Sequence, residues 1–183
     1  MDAPIDEDDL QRLIAAAYRG PSAGNTSSVE MVVLQGSSVA AYWDTSLPPG
    51  PRETFPWPRL LNAPVLLIPT VSAADYVDRY GELDKAHTRL GEAPGSWLVP
   101  YWWVDGGAAV ENVLLAATAL HLGACFFGQF EHERALAERF DIPSRRRALG
   151  TIAVGHPDVN ADRLSRSAQR PAVPVEQRTH WHP

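Results

Sequence analysis

The chain has one cysteine, one lysine and no apolar run long enough to cross a bilayer. With Cys125 as the single thiol, no internal disulfide framework can form, which points to a reducing compartment and a cytoplasmic protein. The acidic opening MDAPIDEDDL carries neither a basic n-region nor an apolar core, so no secretory signal is expected. A membrane span needs about 20 apolar residues, and the most apolar stretch, Tyr101 to Gly128, is broken by Asp105, Glu111, Asn112, Thr118 and His121. Positive charge is scarce as well: the formal net charge of −6 argues against nucleic acid or an acidic membrane as partner. Catalytic signatures are equally thin. There is no HExxH and no cysteine cluster for zinc, and no GxSxG around Ser22, Ser27 or Ser28. No GxxxxGK[ST] or GxGxxG is present to hold a nucleotide phosphate. Chemistry in such a chain has to come from a bound cofactor.

What is present is enough for one ordinary domain over residues 1–183: the hydrophobic share is 45%. The stretch from Tyr101 onward predicts a long helix. Val104, Ala108, Leu115, Ala119 and Leu122 share one stripe, and Val110, Val113, Leu114, Ala117 and Leu120 cover the neighbouring faces. A helix apolar nearly all round sits at a domain centre or in a subunit interface. Asp105 is the expected N-cap and Gly123 the expected stop. Ala124 to Phe127 then reads as a buried strand ending at Gly128, with Cys125 an inert core thiol.

Ahead of this centre, Asp6 to Arg19 predicts a capped amphipathic helix with acidic residues at its positive end. Gly20 to Ser28 is a loop rich in Gly, Pro, Ser and Asn, and Val29 to Leu34 a strand. A polar loop held between two rigid elements is a natural ligand-binding loop. Val39 to Trp43 predicts a short helix. Five prolines between Leu47 and Pro58 predict a segment without regular structure, either an exposed connection, the safer reading, or a mobile cover over a pocket. Ala63 to Pro69 is a strand apolar on both faces, Ala73 to Tyr80 a helix, and 81–100 a long irregular excursion. His132 to Phe140 predicts a further helix and Leu149 to Gly155 a fourth strand. From residue 158 the chain is polar and proline-rich, with Arg163, Arg166, Arg170 and Arg178, and is expected to be an extended arm. The mixture implies an α+β layer fold, and an arm too polar to fold on itself implies a homodimer. The Ser/Asn loop, the run Phe126-Phe127-Gly128 and the late arginines together suit a flat polar ring with a phosphate tail, since arginine binds phosphate bidentately.

These segments resemble the nitroreductase family of flavoproteins. AAAYRGPSAGNTSSVEMVVLQG (15–36) is similar to its Ala-rich helix, Pro-Ser-x-x-Asn loop and strand. VDGGAAVENVLLAATALHLGACFFGQF (104–130) resembles its central helix and following strand. RFDIPSRRRALGTIAVGHPD (139–158) and VPVEQRTHW (173–181) match its last strand and closing segment in order. The resemblance implies an α/β sandwich with a central mixed sheet flanked by helices, an intertwined homodimer, and FMN, or the deazaflavin F420, at the subunit interface. It implies hydride transfer from a nicotinamide through the flavin to a small acceptor such as a nitroaromatic or quinone, with a flavin-binding protein lacking turnover as the alternative. By motif position, Pro21, Ser22, Gly24, Asn25 and Ser27 approach the flavin, and Phe126, Phe127 and Gly128 line the ring. Arg166 or Arg170 takes the phosphate, while Trp97, Tyr101 and Trp102 cover the substrate. Three departures accompany this. Met1-Asp2-Ala3-Pro4 lacks the family's arginine segment, Ser27-Ser28 replaces a common Gln-Pro, and Ala172 stands where an arginine is frequent. Two missing charge-assisted contacts at about 1.5–3 kcal/mol each imply a weaker grip on the flavin.

Overall fold

A computed structural model describes residues 3–158 and 168–182. The first helix, α1 (Glu7–Ala17), forms as expected. Asp6 accepts the amides of Asp8 and Asp9 at 2.9 and 3.4 Å, and Leu10, Leu13 and Ala17 form its buried face. After the loop come β1 (Glu30–Gln35), α2 (Ser37–Ser46), α3 (Pro49–Glu53), β2 (Val65–Val71) and α4 (Ala73–Gly81). The long helix α5 (Tyr101–Ala119) leads to β3 (Gly123–Phe127), α6 (Glu133–Arg139), β4 (Arg147–Ala148) and β5 (Thr151–Gly155).

The strands run β1-β2-β5-β3, with β4 also pairing to β2. All described pairings are antiparallel, so the expected mixed sheet is antiparallel here. β2 is buried along its whole length because both sheet faces are covered. Successive side chains alternate between faces. Val65, Leu67, Ile152 and Val154 meet α1 and α5, whereas Leu66, Ile68 and Ala153 meet α2 and α6. A third cluster joins Val71, Tyr76, Trp97 and Trp102 under the 81–100 excursion.

Four expectations change. α5 begins four residues ahead of Asp105, just after Pro100, and Asp105 lies inside the helix with its carboxylate spent elsewhere. The helix also ends without Gly123: His121 takes a left-handed φ of 56°, and the Leu122 amide reaches back 2.8 Å to the Ala117 carbonyl. β3 is not buried. It is the last strand of the sheet, and Ala124, Cys125 and Phe126 are exposed, so Cys125 is not a core thiol. Lastly, the proline-rich segment contains α3, because its prolines sit in the first turn, where the missing N–H groups have no helical partner to lose. Residues 168–182 are almost wholly exposed, with one 3-10 turn at Val175–Gln177, in keeping with an arm.

Candidate functional site

A cavity of about 1000 Å³ runs along β3. Its floor is Gly123, Ala124, Cys125, Phe127 and Gly128, all small except Phe127, along and just past a strand whose outer edge has no described neighbour. One wall is Tyr42 and Trp43 of α2; the other is Phe55 and Trp57, from the proline-rich segment read as a connection or a pocket cover, with Arg59 just beyond it. The Phe127 and Trp43 rings stack on each other at 5.8 Å and 14° on the cavity's apolar side, with Trp43 packed into the core cluster between α2 and α6. Arg59, which sequence reasoning did not single out, carries positive charge to the cavity and pairs with Asp158. Gln129 and Phe130 close one end. Gln129 is buried and donates through Nε2 to Thr151 Oγ1 at 3.0 Å; that hydroxyl lies 2.8 Å from the Tyr42 hydroxyl. Burial pushes the Tyr42 phenol up to about 12, so it stays protonated at neutral pH. Gln129 Oε1 has no partner. Aromatic walls, a shallow backbone floor and a few polar groups are what a flat heteroaromatic ligand requires, so these residues fit a flavin ring.

The Ser/Asn loop is built with equal care. Ala23–Asn25 form a single 3-10 turn in which Gly24 has φ 65° and lies on the Tyr80 ring. A Cβ at Gly24 would fall 2.6 Å from that ring. Ser22 Oγ accepts the Ser27 amide at 3.0 Å, and Asn25 and Ser27 both hold left-handed φ values. Asp105 Oδ2 accepts the Ala23 amide and the Tyr76 hydroxyl, each at 2.7 Å. Burial, then that hydrogen bond, pushes the Tyr76 phenol far above its ordinary range, so it remains a donor. Arg79 Nε donates to the Gly24 carbonyl at 2.8 Å while its two Nη groups grip Asp84 at 2.7 and 2.8 Å. Beneath the loop, the Ser28 hydroxyl donates to Asp75 at 2.8 Å and accepts the Ser72 amide at 3.0 Å.

Arg146 holds this base in place. Its side chain is 1% exposed. Nε donates to Thr70 Oγ1 at 2.9 Å, Nη2 to the carbonyls of Thr70 and Ser28, and Nη1 pairs with Glu30 at 3.0 Å and Asp75 at 3.3 Å. A buried guanidinium needs this many acceptors. The triplet Arg145-Arg146-Arg147 gave no sign of which arginine turns inward.

The structure does not gather all the expected site residues in one chain. Pro21, Ser22, Gly24, Asn25 and Ser27 pack on α4 and α5 and do not line the β3 cavity. Phe126 and Phe127 diverge: Phe127 and Gly128 line the cavity, whereas Phe126 lines a groove of about 420 Å³ against Trp103, Gly107 and Leu149. Trp97 and Trp102 are buried in the third core cluster, with Trp97 Nε1 donating to the Leu90 carbonyl at 2.9 Å. Packing occupies these two rings; Tyr101 alone of that trio stays exposed. Arg170 is exposed and forms no ion pair among the described residues, and Arg166 lies outside them. Among the described residues there is no metal-binding cluster and no helix long and apolar enough to cross a membrane.

Comparison with known proteins agrees with this architecture. The family model for the nitroreductase family matches residues 1–156. A protein of Archaeoglobus fulgidus named for NADH dehydrogenase and NAD(P)H nitroreductase activity is 28% identical over 166 residues, 88% of this chain and 79% of that one. The FMN reductase [NAD(P)H] of Bacillus subtilis is 28% identical over 181 residues, 98% of this chain and 66% of its own length. Among solved structures, an FMN-dependent nitroreductase of Clostridium difficile superposes with a TM-score of 0.66 at 16% identity, covering 100% of this chain and 91% of that one.

Proposed function

The chain belongs to the nitroreductase family, and on that footing we propose that it is an FMN-dependent oxidoreductase, taking a hydride from NAD(P)H and delivering it to a small organic acceptor such as a nitroaromatic or a quinone. The cavity along β3 carries the reading, because it sets aromatic side chains beside an open strand edge. When bound there, FMN would supply the two-electron hydride chemistry that no side chain of this protein can. The chain's own residues bind and shield. The stacked pair of Phe127 and Trp43 lines the apolar side, and the free edge of β3, ending at Gly128, offers backbone N–H and C=O groups to a polar rim. Trp57 and Phe55, packed edge to face at 5.9 Å, exclude water from one side. Arg59 adds positive charge, and Arg170 or Arg166 would meet the phosphate.

The proposal includes a homodimer. Val104, Leu115 and Trp103 leave an apolar face of α5 exposed in the single chain. The Pro21–Asn25 loop is rigid yet absent from its own cavity, so a second copy is the natural source of the loop that completes it. A second reading, a flavin-binding protein without turnover, has one observation in its favour: Arg59 is already paired with Asp158 and is not free to meet a phosphate.

An absorbance spectrum of the purified protein tests both. A yellow preparation with one flavin per chain that oxidises NAD(P)H supports the enzyme. A yellow but inert preparation supports the second reading, and a colourless one that ignores both FMN and F420 refutes both.

A further inference from the structure

Gln129 stands one residue beyond the expected ring contacts. We infer that it determines which ring the β3 cavity accepts, its Oε1 receiving the single ring N–H of an oxidised flavin. The inference rests on the flavin reading above. Nearly all buried polar side-chain atoms in folded proteins have a partner. Here a side chain only 6% exposed, on the lining of a ligand-sized cavity, has one amide atom satisfied and the other not. As placed, Nε2 donates to Thr151 Oγ1, which also lies beside the Tyr42 hydroxyl, and the unpaired atom is the acceptor Oε1. The vacancy at Oε1 selects for a donor on the ligand, while Trp43 Nε1, an unpaired donor on the same lining, would take an acceptor.

An isoalloxazine ring answers that requirement in one way. Its rim has acceptors at N1, O2, O4 and N5 and only one N–H, at N3. The neighbouring Phe130 can give way to admit a ring edge. Its ring is 81% exposed, its φ of 47° is strained for a bulky residue, and its ring is what a Cβ on Gly128 would meet at 3.0 Å.

The test titrates FMN and 3-methyl-FMN, whose N3 has no hydrogen, into flavin-free protein and follows flavin fluorescence. Wild type is expected to bind FMN about tenfold more tightly than the methylated ring, the usual worth of one well-made hydrogen bond. Gln129→Met is expected to erase the preference. Gln129→Glu, which keeps an acceptor at the same reach, is expected to retain it, and it serves alone if the Met variant fails to fold. Equal binding of the two rings by wild type overturns the inference while leaving the flavin reading intact. So does an unchanged preference in Gln129→Met, or a lost one in Gln129→Glu. Binding of neither ring by wild type overturns the flavin reading and this inference with it.

Discussion

Removing Arg146 deprives Ser28, Thr70 and Asp75 of a shared partner at one stroke, in a place water does not reach. Breaking a buried ionic network from one side is expected to cost about 3–5 kcal/mol. Arg146→Met should therefore lower the urea midpoint sharply, whereas Arg145→Met, whose side chain is mostly exposed, should leave it within error. The sequence could not show this. Three consecutive arginines differ only in where the chain turns, and the visible charge logic pointed to the tail arginines as phosphate ligands. Asp105 carries a similar lesson, because an acid near a helix start looks like a cap, and only the tertiary fold shows it holding Ala23 and Tyr76. A gentler case is Glu133, which Arg147 grips at 2.6 and 2.7 Å, holding its carboxyl below the usual range. A lowered folded value means the pair stabilises fully above the carboxyl's ordinary pKa of 4.5 and is lost as pH falls through the folded value. Since Arg147 is largely exposed, the pair is worth about 0.5 kcal/mol after screening. Glu133→Gln should lose that much at pH 7 and nothing relative to wild type near pH 3, by denaturant titration at each pH.

At the scale of elements, α5 was the most legible and still only half understood. Its all-round apolar composition implied a domain centre or a subunit interface, and the single chain shows the first. Val113 and Ala117 are sealed against the sheet, while Leu115 is 59% exposed and Val104, about three turns away on the same stripe, is exposed too. Charge placed on the two faces should therefore act differently. Leu115→Asp is expected to give a folded monomer, with native circular dichroism and half the mass by light scattering. Val113→Asp is expected to unfold the chain, because an unpaired charge would enter the core. A Leu115→Asp protein that stays dimeric would remove this face from the interface. The helix ends were misread because capping is decided by what lies beyond them: Pro100 upstream, and the reach of Leu122 back to Ala117 downstream. β3 was misread for a related reason. Apolar composition marks a strand, but nothing local says whether a neighbour will cover it. β2 had the same apolar signature and is completely buried.

For the whole molecule, the separation of loop and cavity has a consequence that a dimer makes measurable. If the loop of one copy completes the cavity of the other, Asn25→Ala and Gly128→Val should each weaken flavin binding as homodimers. A mixed dimer places both defects at one cavity and none at the other. Co-expressed and separately tagged chains should then recover one tight flavin site per dimer, read by stoichiometric titration; no recovery would mean that loop and cavity act within one chain. The order of segments made this fold readable from residues 15–158. That the flavin lies across two subunits is implied by the family resemblance alone, because sequence order carries no information about symmetry.

The protein's one sulfhydryl rests on the cavity floor, and partial burial pushes its pKa up. Maleimide is therefore expected to label Cys125 slowly, without engineered cysteines or competing thiols, and a molecule seated above it is expected to retard the tag. The native chain thus comes with its own occupancy gauge, one that works equally for coloured and colourless ligands.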